Sequence, residues 1–130
     1  MAEVRYHERV AVTEDEARAL AREWIEAWNS HDLARILAHY AEEVVLTSPV
    51  AAERLGEPSG TVRGKAALRA YFALGLRVFP DLRFELRDVM WGLGSVLLYY
   101  RNQRGTMTGE YMELSPQSGL VTRVVANYGG

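Results

Sequence analysis

The sequence predicts an α+β fold, on three observations. Residues 82–128 read as four consecutive antiparallel strands joined by short Gly- and Pro-bearing turns. The stretches 14–29, 32–39 and 65–79 instead carry apolar residues at helical spacing. The order is helix, helix, strand, long loop, helix and then four strands, so the helices segregate from the sheet.

Each element has a local reason. Residues 1–12 form a lead-in, with Val10 and Val12 as staple contacts for the first helix. Thr13 and Glu16 have capping-box spacing, and Ala17, Leu20, Ala21, Trp24, Ile25 and Trp28 form one face. Asn29-Ser30 ends this helix, and Ser30 or Asp32 caps the next, which turns Leu33, Ile36, Leu37 and Tyr40 inward. Residues 44–49 are a short strand stopped by Pro49, residues 50–60 a loop, and 61–63 a short strand. The third helix buries Leu68, Tyr71, Phe72, Gly75, Val78 and Phe79, and Pro80 ends it.

The four strands are 82–91, 96–104, 108–114 and 120–128. Alternation in the first puts Phe84, Leu86, Asp88 and Met90 on one face and Arg83, Glu85 and Arg87 on the other. The second is apolar on both: Val96, Leu98, Tyr100 and Asn102 on one face, Leu97 and Tyr99 on the opposite one. A strand apolar on both faces is covered on both. The expected outer cover is a second copy of the chain, a homodimer built on Leu97 and Tyr99 with Val89, Trp91, Tyr111 and Val125.

Composition narrows the function classes. At 130 residues one domain spanning 1–130 is expected. A net charge of −2 gives no electrostatic case for nucleic acid or an anionic membrane. No cysteine means no disulfide framework and no thiolate chemistry. The first twelve residues lack an apolar core of the kind that leads secretion, no run approaches a membrane span, and a cytoplasmic location is the default expectation. His7, His31 and His39 have no helical metal-site spacing, so no metal is expected. The run Gly60-Thr61-Val62-Arg63-Gly64-Lys65-Ala66 has three residues between its glycines rather than four, and Ala66 where a phosphate loop needs Ser or Thr.

Several signatures in sequence order carry a resemblance. They are Glu26-Ala27-Trp28-Asn29-Ser30-His31-Asp32-Leu33, Tyr40-Ala41-Glu42-Glu43-Val44, Gly64-Lys65-Ala66-Ala67-Leu68, Phe79-Pro80-Asp81-Leu82-Arg83-Phe84, Gly105-Thr106-Met107-Thr108-Gly109-Glu110 and Gly119-Leu120-Val121-Thr122-Arg123. Together they resemble the nuclear-transport-factor-2-like superfamily, in its SnoaL-like polyketide cyclase branch. The resemblance implies a cone: three N-terminal helices on a strongly bent, mostly antiparallel sheet around an apolar pocket. It also implies acid–base chemistry of isomerase, cyclase, dehydratase or epoxide hydrolase type without a cofactor, or a non-catalytic ligand-binding or dimeric interaction module. Two departures separate this chain from the cyclases, which end the last strand with an aspartate and carry a histidine in Gly-Thr-His-Thr-Gly. Here those places read Ala126-Asn127-Tyr128-Gly129 and Gly105-Thr106-Met107-Thr108-Gly109.

Such a pocket needs a base, and a carboxylate among apolar neighbours has its pKa raised toward the working range. Strand parity nominates Asp88, with Phe84, Leu86 and Met90, and Glu110, with Met112 and Leu114. The plain alternatives are a solvent-reaching Asp88 at a bend or bulge and a Glu110 paired with Arg123. Tyr100 and Asn102 share the inward face of the second strand, placed to donate to a substrate oxygen, or else are satisfied within the core. The resemblance puts Tyr40 and Ser48 on the cavity wall. Trp28, Phe72, Met112 and Tyr128 complete the candidate wall around a small apolar oxygenated ligand.

Overall fold

A computed structural model describes residues 11–130; residues 1–10 of the expected lead-in, Val10 among them, lie outside these, while Val12 packs against the core. The elements are α1 (Glu14–Ser30), α2 (Leu33–Leu37), β1 (Tyr40–Thr47), α3 (Pro49–Leu55), β2 (Thr61–Arg63), α4 (Lys65–Val78), β3 (Glu85–Trp91), β4 (Ser95–Arg101), β5 (Met107–Leu114) and β6 (Val121–Tyr128). The strands form one curved, open six-stranded sheet in the order β2-β1-β6-β5-β4-β3. The expected four-strand meander is its larger part, and β1 joins it parallel to β6. The architecture is α+β, with helices packed on the sheet.

The capping box of α1 is complete. The Thr13 hydroxyl accepts from the Glu16 N–H at 3.1 Å, and the Glu16 carboxylate accepts from the Thr13 N–H at 3.0 Å. The helix ends at His31, in the left-handed region at φ 61°. Two side chains there fix the start of the meander. The Asn29 amide donates to the Phe84 carbonyl at 3.0 Å and accepts from the Phe84 N–H at 2.7 Å. His31 Nε2 lies 2.8 Å from the Leu82 carbonyl oxygen. Asp32 caps α2 by accepting from the Arg35 N–H at 3.1 Å.

The expected loop over 50–60 holds a helix instead. Ser48 caps it by accepting from the Val50 N–H at 3.1 Å, and Pro49 occupies its first turn. Read forward, Ser-Pro is a helix start; the strand that it also ends hid this. The chain then returns so tightly that a Cβ at Gly60 (φ 63°) would sit 2.5 Å from the Ser48 carbonyl oxygen. Ser48 is thereby held in place from both sides.

A bulge in β3 corrects the parity expected there. The register runs Leu86 opposite Tyr100 and then Asp88 opposite Tyr99, with Arg87 as the extra residue. Beyond it the faces exchange: Val89 is buried, while Asp88 is exposed and Met90 is 57% exposed. The inner face of β4 is as expected, with Val96, Leu98 and Tyr100 buried.

The core lies between α1, α4 and the concave face of the sheet. The Trp24 ring centroid is 6.0 Å from that of Trp28, 5.8 Å from Phe84 and 5.3 Å from Tyr100. Phe72 of α4 meets Trp28 edge-on at 4.7 Å. Because Asn29 ties this packed helix to Phe84, Asn29→Ala should destabilise the protein by about 2 kcal/mol, from two lost hydrogen bonds at a part-buried backbone. Urea unfolding of both proteins measures this; an unchanged midpoint would mean that water replaces the amide at no cost.

Candidate functional site

The open end of the sheet encloses a cavity of about 90 Å³ against α1, α3 and α4. Buried Trp24, Trp28, Phe72, Phe84, Tyr100 and Glu110 belong to its floor. Val50 and Arg54 from α3, Tyr71 from α4, Phe79, Gln103 and Tyr128 form its mouth, where side chains reach solvent. The helix that replaces the expected loop is therefore one wall of the site.

Glu110 is the buried carboxylate of this cavity, only 6% exposed. Its register neighbours on β4 and β6 are Leu98 and Ala126, both buried and apolar. Its partner is the Tyr100 hydroxyl, which donates to Oε1 at 2.8 Å. Burial pushes the Glu110 pKa up to about 7, and the Tyr100 hydrogen bond holds it partly down. Burial, followed by the Glu110 charge, raises the phenols of Tyr40, Tyr71, Tyr100 and Tyr128. These phenols stay protonated and can donate hydrogen bonds.

The structure brings most of the expected residues to the cavity. Trp28, Ser48, Phe72, Tyr100, Asn102, Glu110 and Tyr128 line it. Ser48 accepts from the Val50 N–H in the cap of α3 with one lone pair, which leaves its O–H for the cavity. Tyr128 faces inward, opposite Thr108, and is 44% exposed at the mouth. The Trp28 indole N–H is buried without a hydrogen-bond partner among the described residues.

The others sit differently. Asp88 points outward because of the β3 bulge, and its carboxylate accepts from the Val89 N–H at 2.8 Å. It is not a cavity residue. Tyr40 and Met112 are fully buried but do not line the cavity. The Tyr40 oxygen accepts from the Trp24 indole at 2.8 Å, and Met112 packs between Val96 and Val124. Asn102 reaches the wall, but its amide is spent on its own hairpin. It donates to the Thr108 hydroxyl at 2.9 Å and accepts from the Arg104 N–H at 3.0 Å. Tyr100 donates to Glu110 rather than outward. The alternative partner of Glu110, Arg123, binds the Thr47 hydroxyl at 3.0 Å and the Val124 carbonyl at 3.0 Å instead.

Tyr71 and Arg54 are cavity residues that the sequence reading did not assign to the site. The Ser-Pro helix start signals the element that carries Arg54, not the face that Arg54 occupies. Among the described residues no three His, Cys, Asp or Glu side chains are grouped to hold a metal ion. No described helix is long and apolar enough to cross a membrane.

Comparison with known proteins places this geometry in a family. The SnoaL-like domain model matches residues 21–125. A SnoaL-like protein of unknown function from Burkholderia thailandensis is 40% identical, with a TM-score of 0.89 over 92% of this chain and 99% of its own. A protein from Kribbella flavida described as a candidate ketosteroid isomerase is 20% identical, with a TM-score of 0.69 over 89% of this chain and 79% of its own. The epoxide hydrolase/cyclase-like enzyme SalBIII, of pyran ring formation in the polyether salinomycin, is 19% identical, with a TM-score of 0.66 over 89% and 92%. The last two show the shared fold. No curated protein matches the chain.

The raised pKa of Glu110 makes stability depend on pH with a definite sign. The group titrates near 4.5 ordinarily and at about 7 when folded, so between these values the folded state holds the extra proton. Stability then falls as pH rises through this window, and the loss is complete above it at roughly 3 kcal/mol. Glu110→Gln removes the titration. Urea unfolding at pH 5 and pH 8 should show the wild type losing roughly 3 kcal/mol more than the variant across that interval. Parallel pH profiles would mean that the carboxylate is hydrated.

Proposed function

The chain belongs to the SnoaL-like domain family, and we propose that it is a cofactor-independent enzyme acting on a small, apolar, oxygenated molecule by general acid–base catalysis. The observation that carries the proposal is Glu110, a carboxylate titrating near pH 7 at the floor of an aromatic cavity. A base is most useful when its pKa lies near the working pH. Of the reactions open to this family's fold, we favour isomerisation next to a carbonyl. Glu110 takes the proton from the carbon beside the carbonyl, and the C–H electron pair becomes the C=C bond of an enolate. The negative charge moves to the carbonyl oxygen, where the hydroxyls of Ser48, Tyr71 and Tyr128 are the available donors. Glu110 returns the proton at the far end of the conjugated system, so no electrons are gained or lost. The name borne by the Kribbella protein fits chemistry of this kind.

A β,γ-unsaturated ketone as compact as 3-cyclohexenone tests the reading. Its conversion to the conjugated enone is followed by absorbance, and its α-proton exchange in D2O by NMR. The wild type should accelerate both, with kcat/KM rising as pH passes about 7. Glu110→Gln should lose roughly 10²–10⁴-fold. Equal rates in both proteins remove Glu110 as the base. Binding of the ketone without turnover favours the non-catalytic ligand-binding reading.

We also propose a homodimer through the convex face of the sheet. The bulge revises its membership: Val89 is buried and Trp91 lies in the inward row with Val96, while Met90 joins the outer row. Met90, Leu97, Tyr111 and Val125 then form one continuous cross-strand row, beside an exposed Tyr99. Each large apolar side chain buried there contributes roughly 1.5–3 kcal/mol. Light scattering at micromolar concentration should give a dimer mass for the wild type and a monomer mass for Leu97→Asp/Tyr99→Lys. A monomeric wild type rejects the interface.

A further inference from the structure

Two guanidinium groups lie over the ring of Phe79 at the mouth of the cavity, Arg54 as a lining residue and Arg104 just outside the lining, and the chemistry proposed for Glu110 does not use them. Arg54 comes from the last turn of α3 and Arg104 from the β4–β5 hairpin. They approach the same ring: the guanidinium carbon lies 5.3 Å from the Phe79 centroid for Arg54 and 5.7 Å for Arg104. Phe79 and Arg54 both line the cavity. The ion pairs among the described residues engage Arg18, Arg35 and His39, and no carboxylate pairs with Arg54 or Arg104. Acidic residues are not scarce, since the chain has 17 Asp and Glu against 15 Lys and Arg. Both positive charges act on the mouth. Burial drives the Tyr71 and Tyr128 phenols up, and Arg54 opposes this at Tyr71 and Arg104 at Tyr128.

A neutral apolar ligand gains little from two arginines at its doorway. A ligand with a terminal oxyanion gains a great deal. Guanidinium presents a planar fork of N–H donors matched to a carboxylate, and stacking on Phe79 pre-orders each fork so that less freedom is lost on binding. At the opposite end of the cavity, ionised Glu110 repels an anion. The two ends therefore select one orientation for such a ligand.

We propose that the molecule bound here is an amphiphilic carboxylic acid, its carboxylate held at the mouth by Arg54 and Arg104 and its apolar, reacting end directed to the floor. The inference deepens the acid–base reading by naming the substrate class. It rests on that reading only for what happens at the floor.

Matched probes separate the two. Binding of 4-phenylbutyrate and of 4-phenyl-1-butanol at pH 8 in 50 mM salt is measured by isothermal titration calorimetry, with quenching of Trp24 and Trp28 fluorescence reporting occupancy of the floor. The wild type should bind the acid about tenfold or more tightly than the alcohol, as charge-assisted hydrogen bonds at a partly exposed site allow. Arg54→Gln and Arg104→Gln should each remove most of that preference and leave alcohol binding unchanged. Raising salt should weaken only the acid. Both arginines reach solvent, and circular dichroism of the variants checks that the fold is intact. Glu110→Gln should keep the preference for the acid. Equal affinity for the two probes, a preference that survives both arginine substitutions, or failure of the acid to bind at millimolar concentration overturns the proposal. A protein that prefers the acid but shows no ketone exchange in D2O retains this proposal and loses the acid–base one.

Discussion

The fold depends on the contact between one face of α1 and the concave side of the sheet. Trp24 sits at its centre, packed on Trp28, Phe84 and Tyr100, with its indole N–H donated to Tyr40. These residues come from α1, β1, β4 and the approach to β3, so one side chain joins elements far apart in sequence. The polar ties at the end of α1 then set the angle of approach. Asn29 satisfies both backbone groups of Phe84, whose ring lies against Trp24. Packing supplies the energy of this junction, and the amide supplies its geometry.

The same aromatic shell makes the site costly and useful at once. Burying a large aromatic or aliphatic side chain contributes roughly 1.5–3 kcal/mol. Keeping Glu110 ionised inside that shell takes away an amount similar to one such side chain. The protein tolerates this because the penalty is confined to one carboxylate with one strong donor, Tyr100. A second donor would lower the pKa further and weaken Glu110 as a base. Ser48 shows a related economy: the cap of α3 uses its oxygen as acceptor, and its proton stays available.

Much of this was legible in the sequence, for identifiable reasons. Thr13 and Glu16 announced α1, and Gly and Pro punctuation announced the meander, because these signals are local and their chemistry is fixed. Glu110 was legible because strict alternation holds along β5, whose burial pattern keeps period two over Thr108, Glu110 and Met112. Asp88 was misplaced because a bulge adds one residue without leaving a sequence mark, and each side chain beyond it changes face. Asn102 invites a ligand, since a buried amide must find partners, but it finds them within six residues, in the hairpin it builds. The mouth was least legible. Arg54 and Tyr71 converge from α3 and α4, and pairing of that kind is decided by how helices pack, which spacing in one element does not report.

The bulge also explains why this site has one carboxylate and not two. Without it, parity would carry Asp88 to the concave face near the strand that bears Tyr100. Two carboxylates in one dry cavity cannot both ionise at neutral pH; one pKa would rise steeply and the pair would share a proton. Such a dyad suits an acid and a base acting together, but it would repel an anionic ligand more strongly and cost more stability. By turning Asp88 to solvent and Val89 inward, the bulge completes the inward row Val89–Leu98–Glu110–Ala126, in which Glu110 is the lone polar member. The carboxylate is dry because its cross-strand neighbours Leu98 and Ala126 are apolar, and the bulge at Arg87 ends that row on Val89 rather than Asp88. A backbone irregularity on one strand thereby keeps a second carboxylate out of the row that holds Glu110.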